Sequence, residues 1–106
     1  MGHFVIARYK PFPGQEAALL SLVREHIPIL KKEALVTNRI PYVMRASDGS
    51  LIEVFEWKSE KAIEQAHSNP RVLKMWEDFG AVCEFKPFST LPEAKEMFPG
   101  FEPVDL

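Results

Sequence analysis

The chain has 106 residues, of which 46% are hydrophobic and 26% are charged, and its formal net charge is −2 at pH 7. This length predicts a single domain over residues 1–106 with one hydrophobic core. The scattered, nearly balanced charge argues against a nucleic-acid-binding surface, and no apolar run reaches the length of a membrane span. A lone cysteine, Cys83, leaves no intrachain disulfide and favours a reducing, cytoplasmic location.

The first part of the chain predicts a strand followed by a helix. Phe4–Lys10 is rich in β-branched and aromatic residues and is ended by the Pro11–Gly14 turn, which is typical of a strand. Beyond this turn, apolar residues recur three or four positions apart, as in an amphipathic helix. These residues are Leu20, Val23, Ile27, Leu30 and Ala34. Pro28 lies inside the pattern and predicts a kink or a break near His26.

Two apolar runs, Ile40–Ala46 and Leu51–Trp57, predict a β-hairpin with Asp48 and Gly49 as a two-residue loop. In that register, four pairs of residues lie opposite each other on a mainly apolar face. They are Ala46 and Leu51, Met44 and Glu53, Tyr42 and Phe55, and Ile40 and Trp57. The other face of the hairpin also has an apolar centre, and its residues are Val43, Ile52 and Val54.

The second part of the chain predicts helices around one more strand. Ser59 is a candidate N-cap for a helix to about His67, and Pro70 follows an asparagine cap at the start of the next helix. A last strand is predicted over Cys83–Phe88. Thr90 begins the spacing of a capping box, which predicts a final helix.

This order of elements predicts a ferredoxin-like α+β fold, β-α-β-β-α-β with a C-terminal helix, in which helices cover one face of a four-stranded antiparallel sheet. The uncovered face would expose Val43, Ile52 and Val54. An apolar patch of that kind marks an interface, and two-fold symmetry is the commonest way to cover it. We therefore expect a homodimer that pairs sheet to sheet.

A family resemblance runs through three segments of the chain, FVIARYKPFPGQE, EVFEWKSEKAIEQAH and HSNPRVLKMW. They resemble the dimeric α+β barrel superfamily, in particular its antibiotic biosynthesis monooxygenase-like domains. Trp57 matches the tryptophan that closes the third strand of these domains, and His67 matches a histidine at the end of the next helix. The resemblance implies a monooxygenase-like enzyme or an isomerase that needs no cofactor. Its substrate would be a small aromatic, quinol or enolisable molecule.

The chain departs from two branches of that superfamily. Cofactor-free polyketide monooxygenases have an asparagine where this chain has Glu53. Haem-degrading members need an asparagine on the first strand and a histidine on the helix after the break. This chain has Ala7 and Arg8 in the first region and Trp76 in the second, so haem degradation is disfavoured. The opening His3 also resembles stress-responsive α/β-barrel domains. The alternative function is therefore a stress-responsive or other non-catalytic dimer, which binds a small apolar ligand or serves only as an interaction module.

Glu53 is the first candidate catalytic residue, because strand alternation places its carboxylate among apolar side chains. Desolvation raises the pKa of such a group, which suits a general base. The alternative is a structural carboxylate that reaches water at the strand edge or pairs with Arg8, Arg45 or Tyr42.

His67 is the second candidate catalytic residue, since it lies on the apolar side of its predicted helix. It could transfer protons, or it could bond the carbonyls at the helix C-terminus. The candidates for substrate binding are Tyr42, Trp57 and Trp76. Trp57 is expected at the rim of a cleft, whereas Trp76 is expected to be a packing residue of the core. The histidines are not spaced as metal ligands, so no metal site is predicted.

Overall fold

The computed structural model describes residues 2–106, which form three α-helices and a five-stranded antiparallel sheet. The strands are β1 (His3–Pro11), β2 (Tyr42–Arg45), β3 (Leu51–Trp57), β4 (Cys83–Phe85) and β5 (Glu102–Pro103). The helices are α1 (Glu16–Lys32), α2 (Glu60–Ala66) and α3 (Pro70–Val82). The sheet order is β4-β1-β3-β2-β5, so the α+β class is confirmed, with five strands in place of the predicted four. Within residues 2–106, no helix has the length and apolarity that crossing a bilayer requires.

Helix α1 continues through Pro28 as a single helix, so the predicted break near His26 is wrong. A proline removes one backbone hydrogen bond, and here the packing of a continuous buried face outweighs that loss. The buried residues are Leu19, Val23, His26, Ile27 and Leu30. One face of α1 therefore carries a histidine into the core.

The caps of α2 and α3 confirm two predictions. The Ser59 hydroxyl accepts a hydrogen bond from the Ala62 N–H at 3.1 Å, and the Asn69 side-chain oxygen accepts one from the Arg71 N–H at 2.9 Å. Pro70 occupies the first turn of α3, where its missing N–H costs no helical bond. The chain between these helices turns at His67, which is the C-cap residue of α2.

The predicted register of the hairpin is wrong by one residue. The Ala46 N–H donates to the Ser50 carbonyl at 2.9 Å, so the loop has three residues and Gly49 takes a φ of 88°. Val43 consequently lies opposite Glu53, and Tyr42 lies opposite Val54. Because side chains alternate along a strand, this shift exchanges the two faces of β2. Val43 is buried in the main core and does not belong to the outer face.

The predicted C-terminal helix is also wrong, since this region has only two short 3₁₀ turns, Phe88–Thr90 and Pro92–Lys95. The Thr90 hydroxyl, expected to cap a helix, instead donates to the Pro87 carbonyl at 2.9 Å. This segment packs on the outer face of the sheet, where Leu91 is fully buried in a cluster with Ile52.

A buried arginine ties this segment to the sheet. The Arg8 guanidinium donates hydrogen bonds to the Ser50 hydroxyl at 3.1 Å and to Asp48 Oδ2 at 2.7 Å. It also donates to the Thr90 hydroxyl at 2.6 Å and to the Pro87 carbonyl at 3.1 Å. These four contacts join the first strand, the hairpin loop and the C-terminal segment, and we call them the Arg8 clamp. Arg8 is therefore not a partner of Glu53.

The Arg8 clamp predicts that stability falls at acid pH through Asp48. Burial alone would raise the pKa of Asp48, but hydrogen bonds from Ser50 and Arg8 hold this pKa well below its usual range. A carboxyl whose pKa is lowered by folding stabilises the fold above its unfolded pKa of about 3.9, and this contribution is lost as the pH falls toward the folded value. We expect Asp48→Asn to be less stable than wild type at neutral pH and to lose less stability between about pH 5 and pH 2. Urea unfolding across this pH range measures both effects.

Asp78→Asn is the control for this measurement, because it removes an exposed carboxylate whose ion-pair partner in residues 2–106 is Lys74. If the free energy of unfolding of wild type and of Asp48→Asn changed in parallel with pH, Asp48 would not be responsible for the loss of stability at acid pH.

Candidate functional site

A cavity of about 240 Å³ lies between the inner face of the sheet and the helices. Its lining residues are Val5, Ala7, Tyr9, His26, Phe55, Trp57, His67, Trp76 and Phe85. Alternate residues of β1 and β3 point to this side of the sheet, while α1, α3 and the end of α2 supply the opposite wall. Most of the wall is aromatic or aliphatic, as is usual for small-molecule sites.

Glu53 lies in the core beside this cavity, and its side chain is completely buried. Its Oε1 accepts a hydrogen bond from the Tyr9 hydroxyl at 2.8 Å and contacts His26 Nδ1 at 2.7 Å. Its Oε2 has no hydrogen-bond partner among residues 2–106. Glu53 is thus paired, but its partners are two residues that sequence reasoning did not propose.

Tyr9 is the first of these partners, and it acts as a hydrogen-bond donor. Burial, together with the adjacent Glu53 carboxylate, raises the pKa of Tyr9 well above its ordinary value. The phenol is therefore protonated at neutral pH and directs its O–H to Glu53. Its ring packs against Phe79 with the centroids 5.0 Å apart, which fixes its orientation.

His26 is the second partner, and it connects Glu53 to the cavity. Its ring is only 3% exposed and makes edge contacts with Phe55 and Phe79, each at a centroid distance of 5.3 Å. Since Nδ1 contacts Glu53, Nε2 is the ring nitrogen left for a molecule in the cavity. A carboxylate, an imidazole and a free Nε2 form the arrangement by which many enzymes orient a general base.

His67 has the capping role that the sequence offered as one alternative, and it also lines the cavity. Its Nδ1 lies 2.8 Å from the Ile63 carbonyl, one turn earlier in α2. Its ring is exposed and meets Trp76 edge-on, with the centroids 5.1 Å apart. His67 therefore lies at the rim of the cavity and is held there by a backbone carbonyl.

The remaining candidates differ in position from what the sequence predicts. Trp57 is buried, packs on Phe55 at 5.4 Å and forms part of the inner wall, while Trp76 is half-buried near His67. Tyr42 is 70% exposed on the outer face of the sheet and does not line this cavity. The structure thus brings His67, Trp57 and Trp76 together, with Glu53 behind the wall, and leaves Tyr42 apart.

The histidine, cysteine and acidic side chains of residues 2–106 bear on two other kinds of chemistry, metal binding and nucleophilic attack by a thiol. Residues 2–106 contain no group of three or more histidine, cysteine or acidic side chains arranged to hold a metal ion. The Cys83 thiol donates to the Phe79 carbonyl at 3.2 Å, and burial raises its pKa to about 11. Cys83 is therefore a protonated core residue and no nucleophile.

Comparison with known proteins supports the fold. No family model matches the chain, and none of the curated proteins matches it. Among solved structures, the chain is similar to the structure of Rv0793 from Mycobacterium tuberculosis, with a TM-score of 0.63 and 23% sequence identity. The similarity covers 90% of this chain and 100% of that chain. At this identity it shows a shared α+β fold and nothing about activity.

Proposed function

We propose that the cavity binds a small planar molecule and that His26 removes a proton from it. The observation that carries this proposal is the 2.7 Å contact between His26 Nδ1 and the buried Glu53, in a histidine that lines the cavity. When Nε2 takes up a proton, the imidazolium is stabilised by the carboxylate on its other side. A positioned general base of this kind contributes roughly 10²–10⁴-fold to a rate.

The shape of the cavity restricts the molecule that it binds. Its volume of about 240 Å³ is below the range of roughly 300–1,000 Å³ that is typical of sites for drug-sized ligands. Aromatic walls from Trp57, Trp76 and Phe55 favour a flat ring that stacks or meets them edge-on. A molecule of one or two rings suits these dimensions.

We further propose a monooxygenase-like reaction without a cofactor, in a chain of the dimeric α+β barrel superfamily with an antibiotic biosynthesis monooxygenase-like domain. The three resembling segments and the α+β architecture support this assignment. Proton removal from a phenol, a quinol or an enolisable carbon leaves an electron-rich anion that dioxygen can oxidise. When a CH₂ group becomes a carbonyl, one oxygen atom enters the product and the other forms water. All the electrons then come from the substrate.

Tryptophan emission and oxygen consumption test this proposal together. Both tryptophans of the chain line the cavity, so a bound planar compound is expected to quench the emission. We expect at least one phenol, quinol or enolisable compound to quench it and to support oxygen uptake. His26→Gln should retain binding and lose the oxygen uptake, whereas His3→Gln, which changes an exposed histidine outside the cavity, should retain both. Unchanged uptake in His26→Gln would contradict the proposal.

A second candidate function is a non-catalytic dimer that binds a small ligand. It is favoured by the pairing of Glu53, which has two hydrogen-bond partners within its own chain, as a structural carboxylate does. Quenching by planar compounds without oxygen uptake by any of them would support this function over the enzyme.

We also propose that the protein forms a homodimer through the outer face of the sheet. The Leu91 segment covers this face only in part. Ile6, Val54 and Tyr42 lie opposite one another in a row across three strands, and Phe4 adjoins them on β1. Phe4, Ile6 and Tyr42 are each more than half exposed, which is unusual for apolar side chains that share a face.

Ile6→Asp is expected to separate this dimer, because it places a charge at the centre of the apolar row. Sedimentation equilibrium at micromolar concentration should show a dimer for wild type and a monomer for the variant. Leu73→Asp is a matched control, since Leu73 is a partly exposed apolar residue on α3. A monomeric wild type would contradict the proposed dimer.

A further inference from the structure

We propose that a groove between helices α1 and α3 binds a phosphate dianion, either free or as the monoester of a small molecule. The groove has a volume of about 240 Å³ and shares no lining residue with the aromatic cavity. Its lining residues are Arg24, Glu25, Pro28, Ile29, Lys32 and Arg71, and we call it the basic groove. This second site therefore does not depend on the proposed reaction.

The helical repeat of α1 brings two cations to the same side of this helix. Arg24, Pro28 and Lys32 follow one another at every fourth position, which places them in one row along α1. Arg71 lies in the first turn of α3 and lines the groove from that helix. Three positively charged side chains from two helices therefore surround one groove.

The chain itself leaves these three charges without a counterion. Within residues 2–106, none of Arg24, Lys32 and Arg71 forms an ion pair. Glu25 is the acidic side chain of the wall, so three positive charges and one negative charge leave the groove with a formal charge of +2. Like charges that lie close together repel each other, and an anion bound between them offsets this repulsion.

The position of Arg71 is a second indication of a bound anion. The N-terminal end of a helix has a partial positive charge, which favours acidic side chains in the first turn. Helix α3 instead begins Pro70-Arg71-Val72, with a cation in that turn. Because Asn69 already caps the N–H groups of Arg71 and Val72, the anion would bind side chains, and the helix dipole would add to the attraction.

A hydrogen bond between the ends of the two helices holds the basic groove in shape. Asn69 Nδ2 donates to Glu33 Oε1 at 2.8 Å. Glu33 directly follows Lys32 at the end of α1, and Asn69 is the N-cap of α3, two residues before Arg71. The backbone on both sides of the groove is therefore ordered before a ligand arrives, which lowers the entropic cost of binding.

The charge and the donors of the groove favour phosphate over a carboxylate. The guanidinium groups of Arg24 and Arg71 present paired N–H donors that match phosphate oxygens, and Lys32 adds a compact positive charge. A phosphate monoester has a charge of about −1.5 to −2 at neutral pH, which balances the groove, whereas a carboxylate has a single charge. Pro28 and Ile29 provide an apolar surface for the organic part of an ester.

Isothermal titration calorimetry at constant ionic strength tests this proposal at about pH 8, where the phosphate group is mainly a dianion. The probes are inorganic phosphate, glycerol 3-phosphate and dimethyl phosphate, a diester with a single negative charge. We expect both dianions to bind wild type and the diester to bind much more weakly. Arg71→Gln should weaken the binding of the dianions roughly tenfold or more, the scale of a hydrogen bond between charged groups. Glu25→Gln should strengthen it, because it removes the negative charge of the wall.

The two dianions also distinguish the source of the phosphate group. Tighter binding of glycerol 3-phosphate would identify an ester as the ligand, and equal or tighter binding of inorganic phosphate would identify the free ion. Either result supports the proposed site.

Arg45→Gln is the control, because it removes the same charge from an arginine of β2 that lies outside the basic groove. If Arg45→Gln weakened binding as much as Arg71→Gln, the attraction would come from net charge alone and the proposal would be wrong. A wild type that binds neither dianion, or unchanged binding in Arg71→Gln, would also overturn it. Arg71 and Glu25 are exposed, so melting curves should show that both variants remain folded.

Discussion

Glu53→Gln is expected to lower the turnover of the proposed reaction about 100-fold or more while leaving the protein folded. Glutamine has nearly the same shape, and its oxygen can still accept from Tyr9 and His26. It lacks the negative charge that stabilises His26 once the imidazole has taken a proton. Steady-state kinetics measure the loss in kcat, and thermal melting measures the stability. The binding of planar compounds should change little, because Glu53 lies behind the wall.

Glu56→Gln is the matched control for this variant. Glu56 lies on the same strand, three residues later, but on the outer face, where it contacts Arg39 and Thr37. Its substitution should leave turnover unchanged. Equal losses in the two variants would indicate a general electrostatic effect, and a fully active Glu53→Gln would show that His26 does not depend on the carboxylate.

Arg8→Met is expected to lower the free energy of unfolding by about 1.5–3 kcal/mol, the scale of hydrogen bonds to a charged group, because Asp48 is partly exposed and keeps its contact with Lys10. Methionine fills part of the space of the arginine stem but donates no hydrogen bond, so Asp48, Ser50 and Thr90 lose their buried donor. For a chain of this length, such a loss corresponds to a fall in Tm of roughly 4–8 °C per kcal/mol. Urea unfolding and thermal melting measure it.

Arg45→Met is the control, because Arg45 contacts Glu102 at 3.3 Å with both side chains largely exposed. Exposed pairs of this kind contribute about 0–1 kcal/mol, so this variant should remain close to wild type. If Arg8→Met were as stable as Arg45→Met, the Arg8 clamp would hold the C-terminal segment no better than a surface contact does.

Local sequence patterns predicted the elements well where each one has its own signal. The run Leu51–Trp57 matches β3, and Ser59 and Asn69 cap α2 and α3 as expected. The predictions were wrong where a contact with a residue far away in the sequence determines the local conformation. Thr90 has the spacing of a helix cap, yet its hydroxyl bonds Pro87 and accepts from Arg8, which is 82 residues earlier in the chain.

The hairpin shows how one local error changes a whole face. An Asp-Gly pair favours a two-residue loop, but Ser47 also belongs to the loop, and the register moves by one. Tyr42 then faces outward and Val43 inward. The prediction of a substrate-binding Tyr42 depended on the other register, whereas Glu53 kept its predicted side because β3 itself was placed correctly.

The candidate site was predictable only in part, because its central contacts join three separate elements. Glu53 stood out as a charge among apolar residues of a strand. His26 had a weaker signal, since it falls between Val23 and Leu30 at the helical spacing of the buried face of α1. Nothing in the local pattern of β1 indicates that the Tyr9 hydroxyl would reach Glu53 on β3.

The Arg8 clamp also has a consequence for the order of folding. Its contacts with Pro87 and Thr90 close loops of about 80 residues, and contacts of such long sequence separation are slow to form because the loop entropy must be lost first. The C-terminal segment is therefore expected to dock late, after the central strands have paired. Until then, the Ile52 side of the outer face is uncovered, next to the apolar row formed by Ile6, Val54 and Tyr42. A chain still emerging from the ribosome would expose this wide apolar surface until the Leu91 segment has been synthesised and has docked, and it is at this stage that it would be most prone to self-association.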